Sequence, residues 1–250
     1  MWLTALSMML AAVGSAPAAP VTELAQAVTG RIAAEHRPEP SWRLDIVPGQ
    51  PIRFRDQPLL AEMGTDIDFP PAVAQPAGAG FVFTSIGEDA TLTATLSAET
   101  CVDDETTYPY SIRIQTTGPR ARDYKGCAYR PWSQDLEAYL PAIDACLAIG
   151  AGPYVLFARR EPAGNAYLVT SAPGNDGVYV CTVSDGKATQ SLAPDGGAYP
   201  NVPGVTDSTF VRAPAPKGTD LNCPKTREAR SAAGGLLGWW ILFEELSGCG

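Results

Sequence analysis

The chain has 250 residues, enough for one large domain or for two domains of about 100 residues each. Its formal charge of −9 argues against binding to nucleic acid or to anionic membrane surfaces, because both require a footprint of Lys and Arg. The same charge permits a basic protein partner. The 24 Gly and 23 Pro predict a chain that is rich in turns and mainly β.

The first 19 residues carry no charged side chain and end in small residues suited to signal peptidase. We expect a signal peptide cleaved near Ala16, Ala18 or Ala19, with an Ala-rich disordered leader as the alternative. The apolar run is too short and too rich in Ala to span a bilayer, and no cysteine lies at a plausible cleavage site. These features predict a periplasmic or secreted protein that is not a lipoprotein and has no transmembrane helix in the mature chain.

The cysteines agree with export, because they are even in number and form no C-x-x-C pair. With a single histidine in the chain, disulfides in an oxidising compartment are favoured over a zinc site. We predict sequential pairing, although sequence alone leaves other pairings open. The predicted bridges are Cys101–Cys127, Cys146–Cys181 and Cys223–Cys249.

The first half of the mature chain predicts a linker or short helix over residues 20–35, weakened by Gly30, and then strands. Polar and apolar residues alternate in several segments joined by Gly, Pro and Asp turns, which indicates a small antiparallel β-barrel or sandwich over residues 36–131. Its predicted strands are 42–46, 52–55, 81–84, 90–96, 109–115 and 122–129, and residues 57–79 are read as a long loop interrupted by short extended pieces.

Residues 132–250 predict a smaller α+β domain, one kinked helix on an antiparallel meander. Ser133 is the expected N-cap, and Pro141 is expected to kink or split the helix. The meander strands are 154–158, 166–170, 178–183 and 188–192, followed by one strand near 209–211 and a short helix from Cys223 to Ala233. Residues 239–243, which include Trp239 and Trp240, predict a core strand or helix rather than a membrane or partner contact.

Few residues suggest catalysis. The sole histidine, His36, adjoins a Pro-rich connector and no nucleophile, so we expect a solvated linker histidine. The acidic run Asp103-Asp104-Glu105 lacks the arrangement of a calcium loop, and no phosphate-binding glycine motif is present. We therefore predict no catalytic residue, metal or cofactor. A hydrolase that uses carboxylates from distant segments stays open.

A family resemblance rests on four groups of residues: Glu39-Pro40-Ser41-Trp42, Cys101-x-Asp103, Tyr108-Pro109-Tyr110 and Tyr124-x-Gly126-Cys127-Ala128. Together they resemble a family of uncharacterised proteobacterial envelope and lipoprotein-type domains that open E-P-x-W and close Y-x-G-C-A. That family is distantly similar to META/HslJ-type domains and to the barrels of C-type lysozyme inhibitors. The resemblance covers residues 36–131 and implies no catalytic residue. The chain departs from the family at residues 104–107, where relatives tend to carry a Gly-Met-Ser-like run.

These observations predict an exported, disulfide-stabilised, non-catalytic binding module, with inhibition of a basic wall hydrolase such as lysozyme as one form. Lys125 and Ser111 are candidates for contacting such an enzyme. A carboxylate-dependent hydrolase and a structural or assembly protein of the envelope are the alternatives, and the oligomeric state stays open. The candidate recognition residues are Asp103, Asp104, Glu105, Tyr108, Tyr110 and Lys125.

Overall fold

The computed structural model describes residues 21–56, 67–119, 121–160, 165–172, 177–193, 209–215 and 226–241. These residues form one nine-stranded sheet, one seven-stranded sheet and one separate two-stranded hairpin, all antiparallel. The predicted class, mainly β with a small barrel-like part and one helix on a meander, is confirmed. The predicted signal peptide and the cysteines at 223 and 249 lie outside the described residues.

The strands and helices of the first half are α1 (Val21–Ala27), β1 (Ile32–His36), β2 (Trp42–Ile46), β3 (Ile52–Asp56), β4 (Ile67–Phe69), β5 (Gln75–Ala77), β6 (Gly80–Ile86), β7 (Thr91–Ser97), β8 (Cys101–Asp103), β9 (Thr106–Tyr108), β10 (Tyr110–Thr116) and β11 (Arg122–Tyr129). The second half contains a 3-10 turn (Trp132–Asp135), α2 (Leu136–Ala148), β12 (Tyr154–Arg160), β13 (Ala166–Ser171), β14 (Val178–Ser184), β15 (Lys187–Leu192), β16 (Thr209–Arg212), β17 (Thr226–Arg230) and β18 (Leu236–Ile241).

The nine-stranded sheet runs β4-β3-β2-β1-β11-β10-β7-β6-β5 and curls towards closure. Its two edge strands, β4 and β5, are separated in sequence by residues 70–74 alone, so the edges lie close together. The Ser85 hydroxyl on β6 donates a hydrogen bond to the Pro70 carbonyl oxygen (2.5 Å), which ties the two ends of the sheet. Alternate residues of its strands, such as Leu44, Leu96 and Ile114, point into one apolar core.

The helix or linker predicted over residues 20–35 ends sooner than expected. Helix α1 stops at Ala27 and buries Leu24 in the core, and β1 then pairs with β2 on one side and β11 on the other. Four of the five residues of β1 are buried, because this strand lies in the middle of the sheet and is covered on both faces. The first sheet therefore begins before residue 36.

The seven-stranded sheet contains the predicted meander β12–β15, extended beyond β12 by β16, β18 and β17. Helix α2 packs on the meander and is joined to β14 by the Cys146–Cys181 disulfide. It runs unbroken past Pro141, so the predicted split does not occur. The helix follows the 3-10 turn instead of starting from Ser133, and Asp135 at its N-cap makes no side-chain capping bond.

The expected helix from residue 223 to 233 is wrong, because Thr226–Arg230 forms edge strand β17. Trp240 on β18 is buried, with its ring 5.3 Å from that of Trp132 and 5.2 Å from that of Phe210. This burial agrees with the predicted core role and counts against a lipid contact through Trp240.

One side chain of the second half is bonded to the backbone of the first. The Gln134 amide oxygen accepts the Arg31 N–H (2.8 Å), and its amide nitrogen donates to the Arg31 carbonyl (2.5 Å). An added Cβ on Gly30 would lie 2.1 Å from the same amide oxygen, so a side chain there would displace the contact. The two disulfides fit a disulfide-stabilised extracellular protein. Within the described ranges, no helix reaches the length and apolarity needed to cross a membrane.

Candidate functional site

The β8–β9 hairpin forms its own two-stranded sheet over the outer face of the nine-stranded sheet. Asp103 pairs with Thr106, so Asp104 and Glu105 form a two-residue turn, and both have positive φ (45° and 64°) as a type I′ turn requires. The inward side chains Asp103 and Thr106 are buried, whereas the tip is exposed. The hairpin thus has one face fixed to the protein and one face in solvent.

A disulfide anchors this hairpin to the sheet. Cys101 at its start is bonded to Cys127 on β11, as sequential pairing predicts. At its end the fully buried Tyr108 donates its hydroxyl hydrogen to Glu35 Oε1 on β1 (2.5 Å). Both ends of the hairpin are therefore held from the same region of the sheet.

Glu35 is a buried carboxylate surrounded by donors. Arg37 Nε lies 3.1 Å from its Oε1, and Arg43 Nε lies 3.9 Å from its Oε2. Burial and the Glu35 charge raise the pKa of Tyr108 well above its usual range, so the phenol remains a donor. Burial acts to lower the pKa of Arg37, but Glu35 and Tyr108 outweigh it and raise that pKa. This cluster serves to fasten the hairpin.

His36 takes part in the same attachment and is not a solvated linker residue. Its Nδ1 forms a 2.7 Å hydrogen bond with Asp103 Oδ1, and Asp103 Oδ2 accepts the Arg37 backbone N–H, also at 2.7 Å. The Arg37 Nη1 donates to the Thr106 hydroxyl oxygen (3.1 Å). Asp103 therefore has both oxygens engaged, and the expectation for His36 is corrected.

An open groove of about 490 Å³ lies between the hairpin and strands β7, β10 and β11, and we call it the hairpin groove. The disulfide, Val102, Asp103 and His36 border it on the hairpin side. Its sheet side is made by Thr95, Ser97, Ser111, Ile112, Arg113 and Lys125. It combines a short apolar wall with hydroxyl groups and two cationic side chains.

Several residues that carry the family resemblance pack against each other on the core side of the sheet, beneath the groove. A Cβ added to Gly126 would lie 2.4 Å from Trp42 Cζ2 and 2.6 Å from the Glu35 carbonyl oxygen, so only glycine fits beneath the indole. Tyr124 meets Trp42 edge-on, with ring centroids 6.1 Å apart. The two ends of the motif therefore pack against each other.

The predicted recognition residues do not form one surface. Asp103, Tyr108 and Tyr110 are buried, and Tyr110 belongs to the apolar core. Asp104 and Glu105 are exposed at the hairpin tip, and Lys125 is exposed in the groove. Sequence reasoning missed His36, Arg113 and Ser97. The two-residue spacing of Thr106, Tyr108 and Tyr110 was the available signal that these side chains point inward.

The described residues around the groove do not form an assembled catalytic set. Within the described ranges, no serine hydroxyl or thiol is hydrogen-bonded to His36, and Cys101 and Cys127 are bonded to each other. Of the residues that the structure describes, Asp103 is the one carboxylate lining the groove, whereas a two-carboxylate hydrolase needs a second. Among the residues that the structure covers, no group of three His, Cys, Asp or Glu is placed to hold a metal ion.

No protein-family model matches this chain, and no curated protein or solved structure matches it significantly.

Proposed function

We propose that the chain is an exported, non-catalytic binding module of the cell envelope and that the hairpin groove is its ligand site. The observation that carries the proposal is a preformed groove of about 490 Å³, within the size range of small-molecule sites. One wall is a hairpin fixed by a disulfide and by the side chains of Glu35, His36 and Arg37. Binding to such a fixed wall costs little conformational entropy.

Export to the periplasm or the medium rests on the leader in residues 1–19, the resemblance to envelope domains and the two disulfides. The mass of the exported protein tests this part, with cleavage near Ala16, Ala18 or Ala19 expected. A non-reducing peptide map of the same sample tests the pairing of Cys223 with Cys249. An exported protein that retains its leader would contradict the cleavage.

A basic wall hydrolase of the lysozyme type is the partner that the acidic charge and the resemblance favour. Its contact with this chain would involve the exposed carboxylates Asp104 and Glu105 at the hairpin tip. Ser111 and Lys125 lie within strands beside the groove, not on a projecting loop, so they are placed to receive a ligand rather than to enter an enzyme cleft.

This partner is tested by lysozyme activity on cell walls in the presence of the mature protein, together with calorimetric titration. We expect inhibition at micromolar concentration, weakened by roughly tenfold or more in the double variant Asp104→Asn/Glu105→Gln. The matched control is Glu88→Gln/Asp89→Asn, which makes the same charge change at another exposed turn. No inhibition at micromolar excess rejects a lysozyme-type partner.

The His36–Asp103 hydrogen bond favours a second candidate, a hydrolase in which Asp103 orients His36 as a general base. This candidate requires a nucleophile or water brought in with the substrate, because both neighbouring cysteines are bridged. Hydrolysis of activated esters and peptidoglycan fragments by the mature protein tests it, with His36→Gln as the variant. Turnover that His36→Gln abolishes, with thermal stability retained, would replace the binding proposal.

A further inference from the structure

We infer that the hairpin groove binds a small organic anion and recognises its carboxylate or phosphate group through Lys125 and Arg113. This inference rests on the proposed role of the groove as the ligand site and adds the chemical class of the ligand.

The strand register brings the polar side chains of the groove together. Arg113 on β10 lies directly opposite Lys125 on β11 and opposite Thr95 on β7. Two residues along β10, Ser111 lies opposite Ser97 on β7. Directly paired residues point to the same face of a sheet with their Cβ atoms about 5 Å apart. Two cations and three hydroxyl groups therefore share one face.

The charge of this face is positive even though the whole chain carries −9. Like charges directly opposite each other in a sheet are unfavourable, and Arg113 and Lys125 form such a pair. Asp123 binds the Arg113 guanidinium in a bidentate contact, which lowers the pKa of that carboxyl; the Lys125 charge acts in the same direction. On the β10–β11 side of the groove, two cations against this one carboxylate leave a charge of +1.

The other carboxylate at the groove, Asp103, keeps its negative charge but lies on the hairpin side. Its Oδ1 is bonded to His36 and its Oδ2 to the Arg37 N–H, so both oxygens are directed at partners within the protein. Arg113 uses Nε and Nη2 for Asp123, which leaves Nη1 for a ligand. Lys125 has an exposed ammonium with three donors. The donors of the groove are thus available to an acceptor that carries negative charge.

The size and surroundings of the groove select a small anion over a polyanion. A volume of about 490 Å³ holds a molecule of metabolite size, and Val102 with the Cys101–Cys127 disulfide gives its organic part a short apolar wall. A long polyanion would be repelled by the acidic remainder of the chain. Carboxylate and phosphate groups share the chemistry that Lys and Arg recognise, so either could be the bound group.

The test is calorimetric titration and amide NMR of the mature protein with citrate, inorganic phosphate, glucose 6-phosphate and uncharged glucose. We expect saturable millimolar or tighter binding of at least one anion, weakened by salt, with shifts in β7, β10, β11 and the hairpin. Lys125→Gln should weaken binding by roughly tenfold. The matched control Lys187→Gln, an exposed lysine on β15 in the other sheet, should leave it unchanged.

The outcomes separate this inference from the proposed function. A comparison of the affinities for citrate and for inorganic phosphate identifies whether a carboxylate or a phosphate group is recognised. Glucose that binds as tightly as the anions would overturn the anion inference while supporting the groove as a binding site. Absence of saturable binding by all three anions, or anion binding unchanged in Lys125→Gln, would overturn the inference. Arg113→Gln should likewise weaken anion binding, and thermal unfolding checks that this variant remains folded.

Discussion

The two described disulfides should contribute nearly equal stability but differ in what they control. They join residues 26 and 35 positions apart, for which the chain-entropy relation gives about 3.5 and 3.8 kcal/mol respectively. Replacing either pair by serine should therefore lower the free energy of unfolding by a similar amount and the Tm by roughly 10 °C. Urea and thermal unfolding of Cys101→Ser/Cys127→Ser and Cys146→Ser/Cys181→Ser measure this.

The difference should appear in the hairpin. Without the Cys101–Cys127 bridge, the hairpin is held by hydrogen bonds such as those of Tyr108 and Asp103, and it should open more often. Amide hydrogen exchange of residues 101–108 should accelerate in that variant, and ligand binding in the groove should weaken. The Cys146–Cys181 variant should retain the exchange of the unmodified protein at these residues.

Unchanged exchange at residues 101–108 in Cys101→Ser/Cys127→Ser would refute the reasoning that the bridge fixes the groove wall. Equal acceleration in the Cys146→Ser/Cys181→Ser variant would refute it too, because the effect would then be global instability rather than a local release. The second variant serves as the matched control, since its loop length and expected stability loss are almost the same.

Further substitutions test other contacts by urea unfolding. Glu105→Gly should stabilise by about 0.5–1 kcal/mol, since glycine tolerates φ 64°; a loss would show that the glutamate side chain makes a stabilising contact. Gly126→Ala should destabilise by about 1–3 kcal/mol, because its Cβ overlaps Trp42, and a neutral result would mean that the indole shifts without cost. Tyr108→Phe should cost about 1.5–3 kcal/mol near pH 7. Because the pKa of Tyr108 is raised in the folded state, only the unfolded state releases the phenol proton above about pH 10. The free energy of unfolding should then fall by about 1.4 kcal/mol per pH unit. Tyr108→Phe should remove this part of the slope, and a slope that persists in the variant would contradict the assignment to Tyr108.

The strands that sequence predicted well are those with one face in solvent. β2, β3, β7 and β10 alternate between buried and partly exposed residues, and this alternation is visible in the sequence. β1 was missed because it is buried on both faces, so it lacks the alternation of a half-exposed strand and was read with the preceding residues as a linker or short helix. β17 was missed because its pairing with β18 overrides a charged segment that follows Cys-Pro.

The candidate site was predictable only in part. The Cys101–Cys127 bridge was predicted by sequential pairing, although the sequence alone left other pairings open. The contact between His36 and Asp103 joins residues 67 positions apart and depends on β1 lying beside β11, directly beneath the hairpin. No local pattern encodes that neighbour relation. The positive face at Arg113 and Lys125 likewise requires the strand register, which alternation alone does not supply.

The central position of β1 has a consequence for the biogenesis of the chain. β1 can pair with β2 soon after both strands are synthesised, because they are close in sequence. Its other neighbour, β11, is synthesised much later, since Ala33 pairs with Tyr129, 96 positions further along the chain. During synthesis, β1 therefore presents an unpaired edge with apolar residues until β11 emerges, and such edges favour association with other chains. The unpaired edge of β1 is consequently exposed to association with other chains until β11, the last strand of the first sheet, has been synthesised.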